Sequence, residues 1–116
     1  MGIDWSAAAL TEIERTVARL PAELQLIARA VPVLVMDHPE LEEHEGLLGC
    51  FEGHSLDTDP GNSPGLPSRI ILFIAPLVEE AEADPEIFEE EVRITYLHEL
   101  GHLLGWDEAE VEERGL

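Results

Sequence analysis

Apolar residues recur at helical spacing near the start of the chain. Leu10, Ile13, Val17 and Leu20 follow one another at intervals of three or four residues, which predicts an amphipathic helix over residues 5–19. A proline then interrupts the pattern, and PAELQLIARA predicts a second, shorter helix with proline in its first turn. The chain is therefore expected to begin with two helices.

Three apolar segments further along predict strands. VPVLVMD (residues 31–37) is rich in valine, LLGCFEG (residues 47–53) is weakened by Gly49, and RIILFIA (residues 69–75) is almost unbroken in its apolar character. The last of them is expected to be buried on both faces. Residues 54–68 are crowded with turn formers, which predicts a long irregular loop of a kind that is often functional.

The most informative element is the segment ADPEIFEEEVRITYLHELGHLLG. Asp84 is placed to cap a helix and Pro85 to occupy its first position, while Gly105 stands where a left-handed residue commonly ends one. Neither repeats nor a linker divide the sequence. The order of helices and strands predicts a single α+β domain over residues 1–116, with about three to four strands in a small mixed sheet.

The strongly negative net charge of the chain limits which molecules it can bind. There are 26 acidic residues against 6 basic ones, giving a formal net charge of −20, while 45% of the residues are hydrophobic. A surface of this charge repels nucleic acid and anionic membrane, and we expect neither as a partner. An acidic N-terminal segment, unlike a signal peptide, and a longest apolar run too short for a bilayer favour a cytoplasmic protein.

The candidate metal-binding and catalytic residues lie in HELGHLLGWDE, residues 98–108. His98 and His102 are four residues apart, so in a helix both imidazoles face one side and can bind one zinc ion. Glu99 projects beside that position, which suits a general base for the attacking water. The alternative is a pair of surface histidines on an acidic helix, which the additional Gly105 and the acid at position 108 make a rare coincidence.

A third protein ligand is needed if zinc is to keep a fourth position for water. Glu108 is the first candidate, because a sharp turn at Gly105 lets an acid three residues later swing back to the metal. Asp107 is the second, although it is also placed to cap a terminal helix. The remaining histidines, His38, His44 and His54, lie in predicted loops and are expected to be solvated.

These segments resemble the small bacterial zincin-like metallopeptidases, sometimes called minimal zincins. The resemblance rests on LPAEL, VPVLVMD, GCFEG, LPSRIILF and VRITYLHELGHLLGWDEAEVEERGL. It implies N-terminal helices, a small mixed sheet and a C-terminal active-site helix. It also implies that His98 and His102 bind zinc, that Glu99 is the catalytic acid/base, and that the carboxylate after Gly105 is the third ligand. Family members often carry aspartate where this chain has Glu108.

The expected function is hydrolysis of peptide bonds with one Zn²⁺ per chain, acting on a peptide or protein substrate. Either LLGCFEG or RIILFIA is expected to offer a strand edge that aligns the peptide. Tyr96 is expected to pack in the core, and Cys50 is expected to pack as a small apolar group and not to act as a nucleophile. Arg69, Arg93 and His54 are candidates for stabilising the oxyanion. The alternative function is a non-catalytic metal-binding or protein-interaction module on the same scaffold.

Overall fold

The computed structural model of the protein describes residues 2–52, 68–105, 109 and 113. In these residues four α-helices pack with a three-stranded sheet, which confirms the expected α+β class. The elements in chain order are α1 (Trp5–Ala18), α2 (Ala22–Ala30), β1 (Val33–Met36), β2 (Gly49–Glu52), β3 (Arg69–Phe73), α3 (Ile74–Glu80) and α4 (Pro85–Leu103). A single turn of 3-10 helix, Glu42–His44, lies between β1 and β2.

The sheet is mixed, and β3 is its central strand. β1 pairs with β3 in parallel, with Val33 opposite Ile70, and β2 pairs with it antiparallel, with Gly49 opposite Leu72. Residues 70–73 of β3 are all buried, as the unbroken apolar run predicted. Because β3 is flanked on both sides, only β1 and β2 present an edge within the part of the chain that the structure describes.

Capping side chains fix where the two longest helices begin. The Asp4 carboxylate accepts a hydrogen bond from the Ala7 amide at 3.0 Å, and α1 starts at Trp5. The Asp84 carboxylate accepts from two amides in the first turn of α4, at 2.9 and 3.1 Å, and Pro85 occupies the first position. Both starts agree with the sequence pattern, since a cap satisfies amides that have no partner inside the helix.

One hydrophobic core joins the helices to the inner face of the sheet. Phe88, Val92, Leu100 and Leu103 of α4 are fully buried in it, and Phe88 makes an edge-on ring contact with Trp5 at 4.7 Å between centroids. The prediction for Leu10 is wrong, because this side chain is 45% exposed. The buried face of α1 is turned instead toward Ala9, Ile13, Thr16 and Val17.

The prediction that the third strand continues to residue 75 is also wrong. β3 ends at Phe73, and Ile74 begins α3, a helix that the sequence analysis did not predict. An unbroken apolar run has no period that separates a buried strand from a buried helix. Ile74 and Leu77 are both buried, so the run continues into the core in a different conformation. No helix among the described residues is long and apolar enough to cross a membrane.

Gly49 allows β2 to lie directly against its neighbours. A β-carbon at this position would come within 2.9 Å of the Ile71 carbonyl oxygen, a Leu72 methyl and the Thr95 methyl. Real side chains essentially never approach so closely, and a backbone oxygen cannot move aside without shifting the strand. The glycine that weakened the strand prediction is therefore what brings β2 close to α4.

Gly49→Ala is expected to lower the free energy of unfolding by about 1–3 kcal/mol, because the added methyl overpacks the contact between β2 and α4. Urea denaturation of wild type and variant measures this difference. The matched control is Gly2→Ala, because a β-carbon at Gly2 meets no atom within 4 Å. Equal stability of Gly49→Ala and Gly2→Ala would contradict the packing of β2 on the helix.

Candidate active site

The last two turns of α4 hold the candidate residues His98, Glu99 and His102. All three are half-buried, whereas Leu100 and Leu103 in the same segment of the helix are fully buried. That burial fixes the rotation of the helix, and the two histidines then share one face about 6 Å apart along the axis. The helical spacing on which the zinc prediction depends is therefore present.

The end of α4 also agrees with the sequence pattern. The helix stops at Leu103, and Gly105 follows with a φ of +85°, in the left-handed region that favours glycine. Gly105 thus has the left-handed backbone conformation of a helix-ending residue three positions after His102. This is the turn that would bring a residue further along back toward the two imidazoles.

The third ligand remains a prediction. Glu108 and Asp107 lie outside the described residues, and so does His54. Within residues 2–52, 68–105, 109 and 113, no group of three or more His, Cys, Asp or Glu side chains is arranged to hold a metal ion. His98 and His102 supply two imidazole donors, which is the donor chemistry of zinc sites, and such a site requires one more protein ligand.

Strand β2 flanks the candidate site. Gly49 packs against Thr95, and Glu99 lies one turn further along the same helix. Burial, followed by the negative charges of Glu99 and Glu52, raises the pKa of the Cys50 thiol. Helix α4 contacts this strand, and the charge of Glu99 is close enough to act on the Cys50 thiol. The raised pKa keeps the thiol protonated at neutral pH, which agrees with the expectation that Cys50 is not a nucleophile.

The edge of β2 that pairs with no other described strand can be identified residue by residue. The Phe73 amide donates to the Leu48 carbonyl at 2.9 Å, so Leu48 and Phe73 form a hydrogen-bonded pair of the antiparallel ladder. Such pairs alternate, and the backbone groups of Gly49 and Phe51 therefore point away from β3. Of the two segments predicted to align a peptide, RIILFIA contains the central strand β3, whereas LLGCFEG contains β2, an edge strand of the described sheet.

The two arginines considered for the oxyanion are both held by carboxylates. Arg69 donates two hydrogen bonds, at 3.0 and 2.8 Å, to Glu52 on the neighbouring strand. Arg93 lies 3.8 Å from the Glu12 carboxylate, whose side chain is only 5% exposed. This second pair links α4 to α1, so Arg93 has a structural contact that the sequence did not predict.

The remaining histidines differ in their surroundings. His38 is exposed, as expected for a loop residue. His44 is half-buried in the 3-10 turn, and its ring lies 6.2 Å from the Phe73 ring, so it is less solvated than predicted. His44 is thus a partly buried histidine that packs on the sheet, and it provides a control for experiments on His98 and His102.

Tyr96 is buried in the core, as predicted, with 1% of its surface exposed. Its hydroxyl has no hydrogen-bond partner within the described ranges of the chain. Burial raises the pKa of Tyr96 to about 12, with a smaller opposing effect from Arg29 and an additional increase from Glu14. A buried hydroxyl without a partner costs stability, because it has exchanged its bonds to water for none.

Tyr96→Phe is expected to raise the free energy of unfolding by about 1 kcal/mol at neutral pH, because it removes the unpartnered hydroxyl. Above pH 10 the unfolded wild-type chain loses this proton before the folded one does. The free energy of unfolding of wild type should therefore fall by up to about 1.4 kcal/mol per pH unit between pH 10 and 12, whereas that of the variant should not show this fall. Urea denaturation of both proteins across this pH range tests the prediction. If their free energies of unfolding change in parallel with pH, the prediction is wrong.

A family model described as zincin-like metallopeptidase matches residues 28–116. The chain belongs to this family. The zincin-like match includes all three strands, α3 and α4 with His98, Glu99 and His102, while α1 and most of α2 precede it. No curated protein matches the chain. Membership in the zincin-like family confirms the resemblance noted in the sequence and indicates the general chemistry of a metallopeptidase.

One feature of the site was missed by sequence reasoning, namely the contact of Gly49 with Thr95. The glycine itself was visible within an apolar strand, where it commonly marks close approach of another backbone or helix. Its partner was not visible, because Thr95 is distant in sequence and carries no motif. The contact sets how closely β2 approaches α4.

Proposed function

We propose that the protein is a zinc-dependent peptidase. The observation that carries the proposal is the arrangement of His98, Glu99 and His102 on one helix beside the edge of β2. The family membership supports it independently. A metal-binding module without catalysis would not require Glu99, whereas hydrolysis requires a base next to the metal.

In this proposal His98, His102 and Glu108 hold the metal. A zinc ion supplies Lewis acidity, which polarises the peptide carbonyl and acidifies the attacking water. Glu99 accepts the proton of that water and then donates it to the leaving amine nitrogen. The carboxylate thus has two tasks in one turnover, and its half-buried position on a helix anchored by Leu100 and Leu103 keeps it in place.

The substrate would bind in extended form along β2. Gly49 and Phe51 direct backbone donors and acceptors away from the sheet, and a peptide adding to this edge would form a fourth strand. In this proposal the scissile bond of the peptide would lie next to Glu99. Backbone pairing recognises any extended peptide, so side-chain preference must come from other contacts.

Methylation of one backbone nitrogen in a cleaved peptide is expected to lower kcat/KM by about three- to tenfold, if that nitrogen pairs with the β2 edge. One lost backbone hydrogen bond is worth about 0.5–1.5 kcal/mol. The matched control is the same methyl group on the next residue, whose N–H points away from β2 in an extended strand. Equal losses at successive positions would contradict strand addition.

The experiment that tests the proposed function is digestion of a peptide library by the zinc-reconstituted protein, followed by mass spectrometry of the products. We expect cleavage that stops when a chelator removes the metal and returns when zinc is restored. Stoichiometric zinc binding without any cleavage would favour the alternative, a metal-binding or interaction module. Absence of zinc binding would contradict both.

A further inference from the structure

A cavity lies among α1, α2, β1 and α4, on the side of α4 that faces the N-terminal helices. Its volume is about 490 Å³, within the range of about 300–1,000 Å³ that is common for small-molecule sites. Its walls are largely apolar and comprise Leu10, Ile13, Val17, Ala28, Val31 and Val33. Much of this wall comes from α1, which precedes the residues matched by the zincin-like family model.

Three polar side chains line the same cavity, namely Tyr96, Arg29 and Glu14. Among the described residues the Tyr96 hydroxyl is buried without a hydrogen-bond partner, and the charges of Arg29 and Glu14 both act on it. Arg29 and Glu14 are exposed, and neither forms an ion pair in the part of the chain that the structure describes. A cation, an anion and a hydroxyl therefore meet at one apolar cavity.

We propose that this cavity binds an apolar α-amino acid in its zwitterionic form. Arg29 and the Tyr96 hydroxyl donate to the carboxylate, and Glu14 accepts from the ammonium group. The aliphatic side chain of the ligand lies against the apolar wall, where its burial contributes affinity. Arg29 and Glu14 are exposed residues that line the cavity, so both charges are accessible to a ligand that enters it.

The zwitterion uses every polar group of the cavity. An aliphatic carboxylate without an ammonium group would place its negative charge near that of Glu14. An aliphatic amine would likewise place its positive charge near that of Arg29. A ligand that carries both an ammonium and a carboxylate group matches Glu14 and Arg29 and also satisfies the hydroxyl. The free energy that the unpartnered hydroxyl costs the empty protein is recovered when the ligand binds.

Protein-observed NMR titration with L-leucine tests this proposal, together with the analogues 4-methylpentanoate and 3-methylbutylamine, which each lack one charged group. Leucine is expected to shift resonances of residues that line the cavity and to bind at least about tenfold more tightly than either analogue. Equal binding of an analogue, or no shift with leucine at millimolar concentration, overturns the proposal.

Variants locate the ligand without any measurement of peptidase activity. Tyr96→Phe keeps the ring and removes only the hydroxyl, and it is expected to weaken leucine binding about tenfold, as is Arg29→Gln. The matched control is Arg19→Gln, an exposed arginine that does not line the cavity. A leucine signal unchanged in Tyr96→Phe but lost in His102→Ala would place the ligand at the metal and overturn the proposal.

Discussion

Replacing Glu99 with glutamine is expected to lower kcat by about 10²–10⁴-fold on any peptide that the protein cleaves, without loss of zinc. Glutamine has nearly the size and shape of glutamate but cannot accept the proton of the attacking water. The substitution leaves His98 and His102 in place. Binding of substrate along β2 does not depend on the carboxylate, so KM should change little compared with kcat.

The matched control is Glu91→Gln. Glu91 is also half-buried on α4, but it lies eight residues before Glu99, about 12 Å away along the axis. Steady-state kinetics and zinc content of the two variants and wild type form the comparison. We expect Glu91→Gln to resemble wild type in both measurements. If Glu99→Gln retains wild-type kcat, Glu99 is not the base and the proposed roles fail.

Local signals in the sequence were sufficient for the helix that carries the site. Asp84, Pro85 and Gly105 mark its start and its end, and each has the conformation or hydrogen bonds that its residue type predicts. The spacing of His98 and His102 then requires only that the segment be helical. Each of these features depends on residues within a few positions of one another, which is why sequence reasoning could reach them.

Tertiary packing determined what the sequence could not show. Leu10 fits the apolar spacing of α1 but is exposed, because other residues on that helix face the core. The change from strand to helix after Phe73 occurs inside a uniformly apolar run, where both conformations bury the same residues. Which of β2 and β3 lies at an edge of the described sheet depends on strand order, which no local pattern records.

The cavity next to Tyr96 is another feature that depends on tertiary packing and could not be predicted from local sequence patterns. The sequence predicted that Tyr96 packs in the core, and it does. It gave no indication that the hydroxyl lacks a partner, because that depends on which side chains of α1 and α2 surround it. Tyr96 and His98 are two residues apart but lie about 200° apart around α4, so one helix contributes to two different sites.

Replacing His102 with alanine is expected to weaken zinc binding by more than about 100-fold, because it removes one of three predicted protein ligands from the metal. Zinc at 100 times its Kd adds about 2.7 kcal/mol to the stability of a protein that binds it only when folded. In a domain of this size that free energy raises the unfolding temperature by about 10 °C. The variant should show almost none of this increase.

His44→Ala is the matched control, because His44 is also half-buried but packs against Phe73 and not at the end of α4. It should bind one zinc per chain and show the full thermal shift, and an unchanged shift in His102→Ala would place the metal elsewhere. The same assay identifies the third ligand. Because the turn at Gly105 favours an acid three residues later, Glu108→Ala should behave like His102→Ala, and Asp107→Ala like His44→Ala.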